Sequence, residues 1–162
     1  MTQTHDKPEG QEINQEKPAF DIVIQYVKDQ SFENPNPIEA FLEEHKSQPA
    51  ISLEIRTNFE KVREGLYEVL LHLNVKCTVD AQKTIFIAEL GYGAIVVIDE
   101  DQVPKESIGS LLMVYFPSLL FPFARAIIAD MTREGGFPAL MLNPIDFDAM
   151  YQEQLKNQPE AA

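Results

Sequence analysis

From Phe20 the apolar positions alternate: Phe20, Ile22, Ile24 and Tyr26 fall on one side of an extended chain, with Asp21 and Gln25 on the other. That is the two-residue period of a half-buried strand. The cluster Glu33, Asn34, Pro35, Asn36 and Pro37 ends it, because proline removes a backbone donor and restricts the residue before it. Ile51, Leu53 and Ile55 alternate with Ser52, Glu54 and Arg56 and predict a second strand. Tyr67, Val69, Leu71, Leu73, Val75 and Cys77 give the longest uninterrupted alternation in the chain. A turn through Asp80, Ala81 and Gln82 leads to a fourth strand, Thr84 to Tyr92, extended or bulged at Gly91 and Gly93 into the run Ala94–Ile98. The short returns between neighbours predict an antiparallel sheet.

After Pro104 the period lengthens. Leu119 to Glu134 predicts a helix, with Pro122 near its start and Gly135 and Gly136 at its end. A loop from Phe137 to Asn143 carries Leu140 and Leu142, and Pro144 and Asp146 open a second helix that runs to about Gln158. The expected architecture is α+β, a four-stranded antiparallel sheet followed by two C-terminal helices. Residues 1–18 are polar and acidic and predict a disordered arm. The folded domain is expected over residues 19–156, with a flexible tail at 157–162.

Both faces of the expected strands carry large apolar groups. Ile85 and Ile87 oppose Phe86 and Leu90, and Val23 and Val27 oppose Ile22 and Ile24. With the helix residues Leu119, Leu120, Phe121, Phe123, Ile127, Ile128 and Met131, this is more apolar surface than one small core absorbs. Self-association, with the remainder forming a groove for an apolar ligand or peptide, is the economical cover. The competing reading is a well-filled monomer with a few exposed apolar side chains.

Charge narrows the field of partners. The chain holds 26 acidic and 13 basic residues, a formal net charge of −13, which repels nucleic acid and anionic membrane surfaces and attracts basic or metal-bearing segments. The single cysteine, Cys77, cannot close an intrachain disulfide, and the first nineteen residues hold no apolar core of a secretory signal. Both point to a cytoplasmic protein. The uncharged stretch Ile108–Ala124 contains Pro117 and Pro122 and is followed at once by Arg125, so it reads as adhesive rather than membrane-spanning.

The sequence carries few chemistry-bearing patterns. His5, His45 and His72 have no second ligand at zinc spacing, and no glycine is followed directly by lysine, which removes a P-loop. Gly91-Tyr-Gly93 lacks the third glycine and the helix of a nucleotide loop. No Ser, His and Asp pattern suggests a triad. Pairs such as Glu43 and Glu44 have the composition of solvated faces. The expectation is a protein with no catalytic residues, no metal and no cofactor.

Three stretches nevertheless resemble a known family. Asp29–Asn36 (DQSFENPN), Tyr115–Arg125 (YFPSLLFPFAR) and Gly135–Met150 (GGFPALMLNPIDFDAM) are similar, in order and spacing, to signature stretches of the SecB export chaperones. The resemblance covers about Phe20 to Leu155 and implies a homotetramer built as a dimer of dimers. It implies an ATP-independent chaperone that holds unfolded precursor proteins and delivers them to the SecA translocation ATPase. By position, the client groove would use Tyr26, Phe32, Ile51, Leu53, Ile55, Phe137, Leu140, Leu142 and Phe147. The ATPase would dock its zinc-containing basic segment on Asp29, Glu33, Ile87 and Glu89, and subunits would meet at Ala88, Leu90 and Tyr92. Ser47 stands where some family members carry Trp, which implies a shallower groove at that end. A SecB-like chaperone dedicated to a toxin and antitoxin pair is the alternative; Asp29, Glu33 and Glu89 weigh against it. An enzyme using the groove would need a convergent polar constellation, and the sequence offers none.

Overall fold

The computed structural model describes residues 16–80 and 83–158. Four strands, β1 (Phe20–Glu33), β2 (Ala50–Arg63), β3 (Leu66–Val79) and β4 (Lys83–Ile98), form one antiparallel sheet in the order β1-β4-β3-β2. Ala81 and Gln82 of the expected β3–β4 turn lie outside the described residues, as do residues 1–15 of the expected arm and 159–162 of the tail. Asp80, which begins that turn, has φ 43°, a left-handed conformation that aspartate tolerates better than most side chains. Gly65 does the equivalent work between β2 and β3 at φ 69°.

Helix α1 (Pro37–Leu42) lies between β1 and β2, where the prolines of the sequence mark only a break. Its proline stands at the first turn, the one place a helix loses nothing by lacking that N–H. The C-terminal helical region also begins earlier than Leu119. Helix α2 (Lys105–Ser110) runs through a single π-helical turn, Leu111–Tyr115, into α3 (Phe116–Glu134). The Phe116 N–H donates to the Leu111 carbonyl, five residues back. This widened turn immediately precedes Pro117, whose ring excludes ordinary helical bonding there. The prolines that hid the helix in the sequence are therefore accommodated within it. The helical stretch Lys105–Glu134 is long and apolar enough to cross a membrane, yet Leu112, Phe116, Leu120, Ala124 and Ile128, four residues apart, are buried as a stripe facing the sheet. Helix α4 (Phe147–Asn157) starts at Asp146, whose carboxylate accepts the Ala149 N–H at 2.9 Å.

The core lies between the sheet and α3. Val69, Leu71, Leu73 and Val75 of β3 and Ala88, Leu90, Ala94 and Val96 of β4 are buried on the helix-facing side. Ala88 and Leu90 are at most 2% exposed and Tyr92 8%. Their side chains fill the interior of a single chain, where the sequence reading had placed a contact between chains.

Strand β1 departs from plain alternation. Its pairing with β4 slips by one residue between Ile22 and Ile24, and again between Val27 and Asp29. Each bulge turns the following residues to the other face. Phe20, Ile22 and Phe32 therefore face the helices, while Ile24 and Tyr26, between the bulges, face away. β4 runs without a break past Gly91 and Gly93; the irregularity expected there belongs to the partner strand opposite.

Candidate functional site

An apolar groove opens between the start of β2 and the loop that follows α3. Its cavity is about 290 Å³ and is lined by Ala40, His45, Pro49, Ile51, Cys77, Ile85, Phe86 and the loop residues Phe137–Leu140. Of the residues expected there, Ile51, Phe137 and Leu140 form its walls. Leu53 and Ile55 continue along the same half-buried face of β2, opposite Val75 and Leu73. Phe32 closes one end within an aromatic cluster: its ring stacks on Phe86 at 5.5 Å, Phe86 lies 5.0 Å from Phe137, and Phe137 stacks on Phe41 at 4.9 Å.

Three expected groove residues are elsewhere. Leu142 and Phe147 are 6% and 3% exposed and belong to the core. Tyr26 lies on the opposite face of the sheet, because of the bulges, where its hydroxyl donates to Glu68. The same carboxylate accepts from Lys28 Nζ at 2.9 Å, and Tyr26 and Lys28 together hold it below the usual carboxylate range. Burial, reinforced by Glu68, pushes the Tyr26 phenol up.

Sequence reasoning missed Phe41, Phe86 and His45. Phe86 sits on the core-facing side of β4 and carries no signal that distinguishes it from Leu90. Phe41 belonged to a helix that two prolines concealed. His45 joins the lining through the connection between α1 and β2, which the Asp80 carboxylate fastens in place. Asp80 accepts from the Ser47 N–H at 2.8 Å, the Ser47 hydroxyl at 2.9 Å and the Lys46 N–H at 3.1 Å, and its own N–H donates back to Ser47 Oγ. The Ser47 hydroxyl and then the Lys46 N–H hold the Asp80 carboxyl below its ordinary value. On the groove floor, burial raises the pKa of the Cys77 thiol.

The far face of the sheet carries the second constellation. In the β1–β4 register Asp29 stands opposite Gly91, Ser31 opposite Glu89 and Glu33 opposite Ile87, so Asp29, Glu33, Ile87 and Glu89 share one face, directed away from the helices. The three carboxylate residues are exposed and Ile87 is half-buried among them. Glu89 is oriented by Asn74 Nδ2 at 3.0 Å and the Ser31 hydroxyl at 3.4 Å. Among the described residues no group of three His, Cys, Asp or Glu side chains could hold a metal ion.

Both constellations lie within a stretch that matches a single family model, Preprotein translocase subunit SecB, over residues 13–158. The chain belongs to the SecB family. Its curated relatives include the protein-export protein SecB of Paramagnetospirillum magneticum, 39% identical over 89% of this chain and 90% of the relative. That of Bartonella bacilliformis is 42% identical over 91% of each, and that of Rhodopseudomonas palustris (strain BisB5) 41% over 88% of each. Among solved structures, a SecB-like chaperone of Mycobacterium tuberculosis, in complex with a peptide from an antitoxin, superimposes with a TM-score of 0.64. It covers 78% of this chain and 91% of its own at 12% identity, a likeness of fold. The SecB fold thus accounts for the four-stranded antiparallel sheet and the helices packed on it.

Proposed function

We propose that this SecB-family protein is a cytoplasmic, ATP-independent chaperone of protein export, which holds precursors unfolded and passes them to the SecA translocation ATPase. The observation that carries the reading is the division of the sheet into two unlike faces. The helix-facing side ends in an open apolar groove walled by Phe137 and Leu140 and continued by Leu53 and Ile55. The far side presents Asp29, Glu33 and Glu89 around Ile87.

An unfolded chain exposes the side chains that such a groove accepts, and each one buried contributes roughly 1.5–3 kcal/mol before ordering costs. A folded client hides them, so the groove selects slow folding rather than sequence. The acidic face suits the basic segment of a partner, and any zinc in that contact belongs to the partner. No step in this cycle asks for bond chemistry.

A dimer of dimers is supported by apolar surface that one chain leaves open. Val23 and Val27 on β1 and Leu119 and Phe123 on α3 are each more than 40% exposed. Phe123 stacks on Tyr92, which pairs with Val27 across the β1–β4 ladder, so exposed side chains of strand and helix meet on either side of Tyr92. These residues replace Ala88, Leu90 and Tyr92 as the proposed subunit contact.

Light scattering of the purified protein, with and without a reduced, permanently unfolded precursor, tests assembly and holding together. The expected result is a tetramer that gains mass with the unfolded chain and ignores the folded one; a monomer indifferent to both would overturn the reading. Lysine at Glu33 and Glu89 should weaken docking of the ATPase and leave precursor binding intact, and more salt should weaken docking more than precursor binding. Loss of both activities together, or of neither, would remove the acidic face from the assignment.

A further inference from the structure

Among the described residues, tyrosines aside, Thr57 and Thr132 are the buried polar side chains, and Thr132, at 0% exposure, is sealed completely. A hydroxyl in that position must find partners, since an unpaired buried polar group is costly. Thr132 Oγ1 donates to the Ala129 carbonyl at 3.0 Å, the local bond common for threonine in a helix. It also accepts the Leu140 N–H at 2.9 Å, across eight residues of chain. The Thr132 carbonyl, near the open C-terminal end of α3, accepts the Phe137 N–H at 3.0 Å. One residue therefore ties down both ends of the groove wall Phe137–Leu140; residues 138–146 belong to no helix or strand, and beyond the wall Arg125 Nη1 donates to the Leu142 carbonyl at 3.5 Å.

The glycines between these anchors complete the fit. The Phe32 ring occupies the space a Cβ at Gly135 would fill, and the Phe41 ring lies 3.1 Å from a Cβ built at Gly136, whose φ is 91°. The aromatic end of the groove rests directly on this turn.

We infer that Thr132 is a positioning residue for client capture: through its hydroxyl and its carbonyl it sets the groove's loop wall before a client arrives. The inference rests on the client-holding reading above. A wall already in place loses less freedom when an extended chain binds, so part of the affinity comes from a side chain that no client touches.

The test compares Thr132→Val, which keeps the shape and removes the hydroxyl, with Thr132→Ser, which keeps the hydroxyl. Affinity for a reduced, carboxymethylated polypeptide that cannot refold should fall on the order of tenfold in the valine variant and return in the serine variant. Docking of the translocation ATPase and the circular dichroism spectrum should be unchanged in both. Hydrogen exchange should quicken at Leu140 in the valine variant, with β3, β4 and Phe137, whose bond to the residue-132 carbonyl is kept, unaffected.

Equal client affinity in wild type and Thr132→Val would overturn the positioning role and leave the chaperone reading standing. A wild-type protein that ignores the unfolded polypeptide would overturn both. Should the valine variant fail to fold, exchange in the wild type decides: a Leu140 amide as protected as those of α3 supports the assignment, and one exchanging at the rate of an open loop ends it.

Discussion

Glu100, just beyond β4, accepts from Lys61 Nζ at 2.8 Å, the Tyr67 hydroxyl at 2.6 Å and the Gly65 N–H at 3.2 Å. Lys61, then Tyr67 and Gly65, bring its carboxyl from the ordinary 4.5 down to about 2. A carboxyl depressed in the folded state contributes stability that is complete above its unfolded value and disappears as the pH falls through the folded one. Glu100→Gln should therefore lower the melting temperature at pH 7, and the gap to wild type should close as the pH drops from 4.5 toward 2, a comparison thermal melts can make. The groove residues separate in another way. Polar replacement of Leu53 and Ile55, which are half-buried, should reduce client affinity with the circular dichroism spectrum intact. Phe147→Ala, in the core, should cost ~3–5 kcal/mol of stability. The sequence could not draw that line: Phe137 and Phe147, or Leu140 and Leu142, are the same residue types in the same stretch. Periodicity says which way a side chain points, and only the fold says whether something covers it.

At the scale of elements, all four strands were legible because each carries an apolar alternation that no helix would bury. What escaped was local. Two bulges in β1 re-aim Ile24 and Tyr26, and neither Val23 nor Lys28 has a residue type that marks the extra position. α1 and the start of the C-terminal helical region were hidden by prolines, which read as breaks even where the first turn of a helix or a widened turn accommodates them. The glycines of β4 give a paired prediction. A Cβ at Gly93 would lie 2.9 Å from Leu70 and 3.0 Å from Tyr26, whereas one at Gly91 meets nothing closer than 3.6 Å. Gly93→Ala should thus destabilise the protein by ~1–3 kcal/mol through overpacking, and Gly91→Ala by less than about 1 kcal/mol, as chemical denaturation will report.

For the whole molecule, composition was the most dependable guide. The apolar excess foreseen in the sequence is present as exposed side chains on β1 and α3, although the residues first chosen for subunit contact fill the core instead. The resemblance assigns those residues by position, and position along a strand does not say whether a helix of the same chain already covers it. Aspartate at Phe123 and Val27 should lower the mass seen by light scattering while each chain keeps its secondary structure, because a charge at either place would be stranded in the proposed contact. An unchanged mass would move the subunit contact elsewhere.

Phe32 and Glu33 are consecutive residues near the end of β1, and the pleat sends them to opposite sides of the sheet. On the proposed assignment of the two faces, cargo lying against the aromatic ring and a basic tail resting over the carboxylate would be separated by a single thickness of backbone. Neither would need to vacate its seat for the other, so delivery can proceed from a ternary assembly in which the carrier is loaded and moored at once.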